Sequence, residues 1–303
     1  MTATATDADG PAEPVPLAAA DGCRLMALRF PARGPCHGRL IVAGATGVPQ
    51  RFYRRFAVHA AQQGFEVLTL DYRGIALSRP ASLRGFRMDY LDWARLDLAA
   101  AVDAVPDDAL PLFMVGHSFG GHAFGLLPNH RRVARFLTFA TGAGWHGWMP
   151  RTERLRVLLM WRVIGPLLTR WKGYLPWSLL GMGEDLPLDV YRQWRQWCRF
   201  PRYFFDDPTM RGERLAELFD AVRTPIVALN ALDDLWAPPA SRDAFMAAYR
   251  NAPMRPVTLH PASLGMKSIG HMGYFRPAAR PLWDEGLGWF RGHDAAAARP
   301  AAP

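Results

Sequence analysis

Gly116-His117-Ser118-Phe119-Gly120 follows the apolar run Leu112-Phe113-Met114-Val115 and leads into Gly121-His122. A buried strand that ends in a serine at the apex of a sharp turn, and then opens a helix, is compatible with few folds. The turn crowds the positions two before and two after the serine, so both must be small, and both are glycine. In that context the pattern predicts a nucleophilic role for Ser118; the alternative is a chance spacing of glycines around a serine. An unperturbed hydroxyl is a poor nucleophile and needs a base held by a third group. The turn therefore also predicts an acid and then a histidine further along the chain.

Both follow in that order. Thr224-Pro225-Ile226-Val227-Ala228-Leu229-Asn230 reads as a buried parallel strand that empties into Ala231-Leu232-Asp233-Asp234-Leu235. A carboxylate just past a strand's C-terminal end lies where open α/β sheets bind ligands. The strand-like run Pro256-Val257-Thr258-Leu259 leads to Ser268-Ile269-Gly270-His271-Met272-Gly273. Of nine histidines, only His271 combines a loop context with the required order. His117 and His122 adjoin the turn and suit strand-end or helix-packing roles.

Acyl transfer also needs preorganised N–H donors for an oxyanion. One is the amide after the nucleophile, that of Phe119. The other is expected after the third strand, Arg39 to Ala43, where Gly44-Ala45-Thr46-Gly47 follows. Ala45 is the first choice and Thr46 the second; a simple tight turn would look the same.

These pieces resemble the α/β-hydrolase superfamily over nearly the whole chain. Asp71-Tyr72-Arg73-Gly74-Ile75-Ala76-Leu77-Ser78 is similar to its D-x-R-G-x-G-x-S segment, with Ala76 in place of the second glycine. The loop from Gly44 to Tyr53 departs from the usual His-Gly start, Ala43 standing where the histidine would be. No His-Gly-Gly-Gly motif occurs, which disfavours the lipase and esterase branch that carries it. With Gly183-Glu184-Asp185-Leu186-Pro187 and Val190-Tyr191-Arg192-Gln193-Trp194, this loop is similar to a bacterial group of serine α/β-hydrolases without an assigned substrate. The resemblance implies a mostly parallel sheet flanked by helices, with a helical cap inserted after the sixth strand. The resemblance to that bacterial group implies no particular reaction; the residues read together point to a cofactor-independent serine hydrolase acting on a small-molecule carboxylic ester or thioester. In the superfamily's register Ala231 fills a glycine's place three residues before the acid, which selects Asp234 over Asp233. Aminopeptidase-like or acyltransferase chemistry would reuse the same residues, and a binding module without turnover is the rival from another class.

The 303 residues, half of them hydrophobic, suffice for one large core with an appendage. Alternating strand and helix signals favour a mostly parallel sheet. The expected organisation is a disordered tail over 1–13, the first part of the core over 14–144, a helical cap over 145–218, the second part of the core over 219–294, and a disordered tail over 295–303. The net charge of +9 raises nucleic-acid binding. Only Lys172 and Lys267 among 36 basic residues are lysine, however, which reads as a GC-rich coding bias. No nucleic-acid-binding motif accompanies it. Cys23, Cys36 and Cys198 lack metal-ligand spacing and suit a reducing compartment. The N-terminal stretch has no apolar signal core, so a cytoplasmic location is expected.

Seven of the 11 tryptophans fall between Trp145 and Trp197, where helical spacing replaces alternation. Such a cap would wall a pocket with aromatics; Trp194 and Trp197 are the candidates, with filling of the cap's own core as the alternative. The run Leu155 to Ile164 is too short and too basic to span a bilayer. Docking of that run on the core is preferred, and weak contact with a membrane surface stays open. Glu184 and Asp185 are read as the acidic start of a helix at Pro187 rather than as a site for a substrate's ammonium group. Oligomeric state is not readable from the chain.

Overall fold

The computed structural model describes residues 12–293. The tail expected over 295–303 and nearly all of that over 1–13 lie outside this range. Glu13 corrects the N-terminal boundary: it opens the first strand, opposite Arg29, with which it also forms an ion pair.

Eight strands form one sheet: β1 Glu13–Ala18, β2 Arg24–Phe30, β3 Gly38–Ala43, β4 Phe65–Asp71, β5 Leu112–His117, β6 Val133–Phe139, β7 Ile226–Ala231 and β8 Met254–Leu259. Their order is β1-β2-β4-β3-β5-β6-β7-β8. The hairpin β1–β2 pairs antiparallel to β4, and every later pair is parallel. The helices between strands are α1 Arg54–Gln62, α2 Ala99–Asp103, α3 Phe119–Ala123, α4 Arg151–Leu159, α5 Gly165–Lys172, α6 Leu188–Trp197, α7 Leu215–Asp220 and α8 Pro239–Met246, with α9 Arg280–Phe290 after the last strand. π-helical turns over Trp93–Leu98 and Met160–Ile164 run into α2 and α5.

The sheet is covered on both faces, so its central strands are apolar throughout rather than alternating. Along β5, Met114 enters a core shared with Trp93, Phe119 and Phe136. Its neighbours Phe113 and Val115 enter the opposite one, with Phe56, Trp283 and Phe290. Successive side chains of a strand point to opposite faces, and here each face has its own helical layer. Between β6 and β7 the chain leaves the sheet for α4 to α7, and only an isolated bridge, Leu175 to Leu186, is extended there. No helix among the described residues is long and apolar enough to cross a membrane.

The packing of α3 sets a steric limit. A Cβ on Gly120 would lie 2.0 Å from the Ala43 carbonyl oxygen, and a backbone atom cannot swing aside. Gly120→Ala is expected to destabilise the fold by about 3 kcal/mol or more, read as a shifted denaturant midpoint. Gly212→Ala, with nothing within 4 Å of its Cβ position, should stay within about 0.5 kcal/mol of the parent.

Candidate active site

Ser118 lies between β5 and α3 at φ 52° and ψ −109°, a region that a residue with a Cβ occupies only when its surroundings impose it. The imposition is visible on both sides. A Cβ on Gly116 would sit 2.8 Å from the Gly120 carbonyl carbon, and one on Gly121 would sit 1.9 Å from Thr141 Oγ1. The Ser118 amide donates to the Phe139 carbonyl at 2.9 Å, and Thr141 Oγ1 donates to the Ser118 carbonyl at 3.1 Å. The side chain at the apex is thereby aimed past the C-terminal ends of the strands.

His271 Nε2 stands 3.1 Å from Ser118 Oγ, and its Nδ1 stands 2.9 Å from Asp234 Oδ2. Asp234 leaves the end of β7 and is 1% exposed. Its Oδ1 accepts the amides of Trp236 and Ala237, each at 2.9 Å. Burial pushes the Asp234 carboxyl up, but facing His271 and the two amides outweigh that, and the net shift is below the usual carboxylate range. An ionised carboxylate can only accept, so Nδ1 carries the proton and Nε2 is left to accept from the serine. Asp233 points elsewhere: its Oδ2 accepts the Ile269 amide at 2.9 Å and so braces the loop two residues before His271.

Phe119 opens α3, where an amide has no acceptor within its own helix. The expectation for Ala45 requires correction. Its amide donates to Tyr53 Oη at 2.7 Å, beneath the site in the core, because the α1 entry brings that phenol under the loop. The neighbouring Thr46 amide has no acceptor among the described residues, and the Thr46 side chain bonds Tyr90 Oη at 2.5 Å. From Tyr53 a directed chain continues. Its hydroxyl bonds His117 Nδ1 at 2.9 Å, and His117 Nε2 meets the His271 carbonyl at 2.9 Å. A carbonyl only accepts, so His117 is protonated on Nε2 and accepts the phenol's proton on Nδ1. Neither the link to Tyr53 nor that to His271 was legible in the motif. The loop bearing Thr46 is also tied to β4: the Gln50 amide donates to Asp71 Oδ1 at 2.7 Å.

A cavity of about 190 Å³ above Ser118 is lined by Ala45, Thr46, Val48, Trp177, Met182, Trp194, Trp236, His271 and Met272. Trp194 is thus at the wall, packed between Trp177 and Trp236. Trp197 is not. It is 1% exposed and stacks on Tyr90 at 5.1 Å; three residues apart, the two indoles share one helix face, and packing against Tyr90, Tyr203 and Phe204 takes Trp197 into the core. Trp177, Met182 and Trp236 went unmarked in the sequence because their approach to Ser118 is purely spatial. Glu184 and Asp185 do not start a helix either; α6 begins at Leu188 with Asp189 in its first turn. Glu184 instead pairs with Arg51 at 2.6 Å, and Asp185 accepts from Ser178 and pairs with Arg79. Among the described residues no cluster of three His, Cys, Asp or Glu side chains could hold a metal ion.

Burial holds His117 down to about 3 and His122 down to about 4, with the nearby His271 adding to the effect at both. Unfolded, both return toward about 6.5. Below that pH the unfolded chain binds protons that the folded chain refuses, so stability is fully present above about 6.5 and is lost as pH falls toward about 3. The melting temperature should drop steadily on acidification from about pH 7 to about pH 4. Burial pushes the Asp97 carboxyl up to about 6, which works in the opposite sense over the same window. The histidine share is therefore read by comparing the parent with His122→Asn. An equal pH dependence of thermal unfolding in the two would contradict a buried, neutral His122.

No curated protein matches the sequence. Among solved structures, a soluble variant of monoglyceride lipase from Saccharomyces cerevisiae superposes with a TM-score of 0.63 at 16% identity, covering 94% of this chain and 95% of that one. The alpha/beta hydrolase GrgF from a Penicillium species gives 0.62 at 17% identity, covering 93% and 99%. A thioesterase domain from the curacin biosynthetic pathway gives 0.57 at 15% identity, covering 90% and 98%. At these identities the likeness is one of fold. The family model for serine aminopeptidase, S33, matches residues 40–261, a span that runs from β3 to just past β8 and contains Ser118 and Asp234. The chain therefore belongs to the serine aminopeptidase, S33, family and has the α/β-hydrolase fold.

Proposed function

We propose that the protein is a serine hydrolase that cleaves a carboxylic ester or thioester through an acyl-enzyme intermediate. The observation that carries this reading is the continuous chain from Ser118 Oγ through His271 to a buried Asp234 at the floor of an aromatic cavity. Ser118 Oγ attacks the acyl carbon while His271 Nε2 takes its proton. Asp234 keeps the imidazole in the accepting tautomer and stabilises the imidazolium that forms. The amides of Phe119 and Thr46 receive the oxyanion; Thr46 replaces Ala45 in this role because the Ala45 amide is engaged by Tyr53. His271 then protonates the leaving group, and a water activated in the same way releases the acid.

The segment 145–218 acts as a cap whose Trp177, Met182 and Trp194 close the cavity from above. That wall favours an uncharged acyl group over the free amino group of a peptide. The only acid or base among the lining residues is His271; Glu184 and Asp185 have arginine partners, and Glu153, which reaches the lining Trp236, is engaged by that indole and by Arg156. An aminopeptidase-like substrate would leave its ammonium unpaired there, at a cost no apolar contact offsets. The lipase and thioesterase among the structural neighbours are consistent with an ester or thioester.

Ser118→Ala should abolish both fluorophosphonate labelling and hydrolysis of p-nitrophenyl esters while leaving the melting curve unchanged. Wild-type protein that takes no label would overturn the reading. Asp234→Asn should lower kcat by roughly 10³–10⁴, the scale for a neutralised triad acid. Asp233→Asn, which only loosens the Ile269 brace, should remain within about tenfold. Trp194→Ala should shift preference toward longer acyl chains when kcat/KM is compared across an ester series. Loss of melting temperature with an unaltered chain-length profile would instead assign Trp194 to packing.

A further inference from the structure

From Arg151 to Lys172 the chain is helical without a break, through α4, the π-helical turns and α5. Val157, Trp161, Gly165 and Thr169, spaced by four, are buried. Leu155, Leu159, Val163, Leu167 and Trp171 recur at the same spacing two residues earlier, about 200° around the helix, and face outward. Leu155 is 68% exposed, Leu167 64% and Trp171 61%. An outward face of this kind is ordinarily charged; here the charges flank it. Arg151, Arg154, Arg156, Arg162, Arg170 and Lys172 lie on the same helix, against a single acid, Glu153. Glu153 is itself engaged by Arg156 and by Trp236 Nε1.

We infer that this face docks on an anionic lipid surface. The match is one of chemistry on both counts. Acyl chains accept the leucines, and negatively charged headgroups accept the rim of arginines, each cation near such a surface strengthening binding by roughly fivefold. The helix lies in the plane of the interface, since its arginines forbid insertion across it. Trp171 sits at the end of the stripe with Lys172 Nζ 4.0 Å from its ring, an amphipathic pair suited to the headgroup level. Beyond α5 the chain exposes Leu179, Leu180 and Met182, and Met182 also lines the cavity above Ser118. Resting on the hydrolase reading above, docking would let a lipophilic acyl substrate pass from the bilayer to Ser118 without crossing water. The docking itself does not depend on that reading.

The test is co-sedimentation of the full chain with vesicles of phosphatidylglycerol and phosphatidylcholine, beside vesicles of phosphatidylcholine alone. The parent protein should pellet with the mixed vesicles, more weakly at raised salt. Leu159→Asp/Leu167→Asp should weaken binding by more than about tenfold, with melting temperature and hydrolysis of a soluble p-nitrophenyl ester retained. Arg154→Glu/Arg162→Glu, which leaves the leucines in place, should weaken binding to the mixed vesicles by about tenfold or more. Parent protein that stays in the supernatant, or binding unaltered in both variants, would overturn the proposal. So would a dimer in sedimentation equilibrium that the leucine variant dissolves in the absence of vesicle binding, since the occupant would then be a second copy of the chain. Vesicle binding by a protein that takes no fluorophosphonate label would remove the hydrolase reading and leave the docking intact.

Discussion

The backbone of Ser118 is held at φ 52° by contacts that tolerate no side chain at Gly116, Gly120 or Gly121, and the rest of the site depends on that one strained residue. Strain of this kind costs about 1–3 kcal/mol and persists only where neighbours over-determine it. Here two strands and a turn supply the determination. β3 presents the Ala43 carbonyl to Gly120, β6 anchors the Ser118 amide through Phe139, and the turn after β6 places Thr141 against Gly121. A comparable device serves the neighbouring loop after β4. Ala76, standing where the superfamily has a glycine, adopts φ 38° while Ser78 bonds back to the Asp71 carbonyl.

Beneath the site, polar order is maintained in the middle of an aromatic core. Tyr53 and His117 are buried among Phe52 and Phe275, yet every hydrogen of their shared chain has one direction. Such a chain is stable only when fully satisfied. Its two ends are the Ala45 amide and the His271 carbonyl, so the loop after β3 and the loop bearing the imidazole are registered to each other through the strand that carries Ser118. Asp233 adds a second brace at Ile269. Two adjacent carboxylates thus do different work, one facing the ring and the other holding its loop.

The segment between β6 and β7 has a divided character. Trp161, Trp177 and Trp197 are buried, and Trp194 borders the cavity, while the leucines of α4 and α5 look outward. Indoles are large enough to make a small helical layer cohere with little else. The layer's outer surface is then free to carry apolar groups that the core does not need.

Much of the fold could be read locally, because strand runs, stop signals and the glycine spacing around Ser118 are demands that neighbouring residues make on one another. Gly64, at φ 80°, ends the helix before β4, and β3, β5, β7 and β8 lie where the apolar runs beginning at Arg39, Leu112, Thr224 and Pro256 put them. The same holds for the chain order of Ser118, Asp234 and His271, which requires only that each leave the C-terminal end of a parallel strand or the loop beyond it. What tertiary structure alone decided is where polar and aromatic groups meet across long separations. The Ala45 amide turned to Tyr53, Glu184 found Arg51 at a separation of 133 residues, and Trp197 went into the core while Trp194 reached the cavity. A helical period allocates side chains to a face, but which face meets solvent, core or cavity is set by how the layers pack. For that reason the outward stripe from Leu155 to Trp171, periodic like any core-facing helix, could not be distinguished from one until the packing was in place.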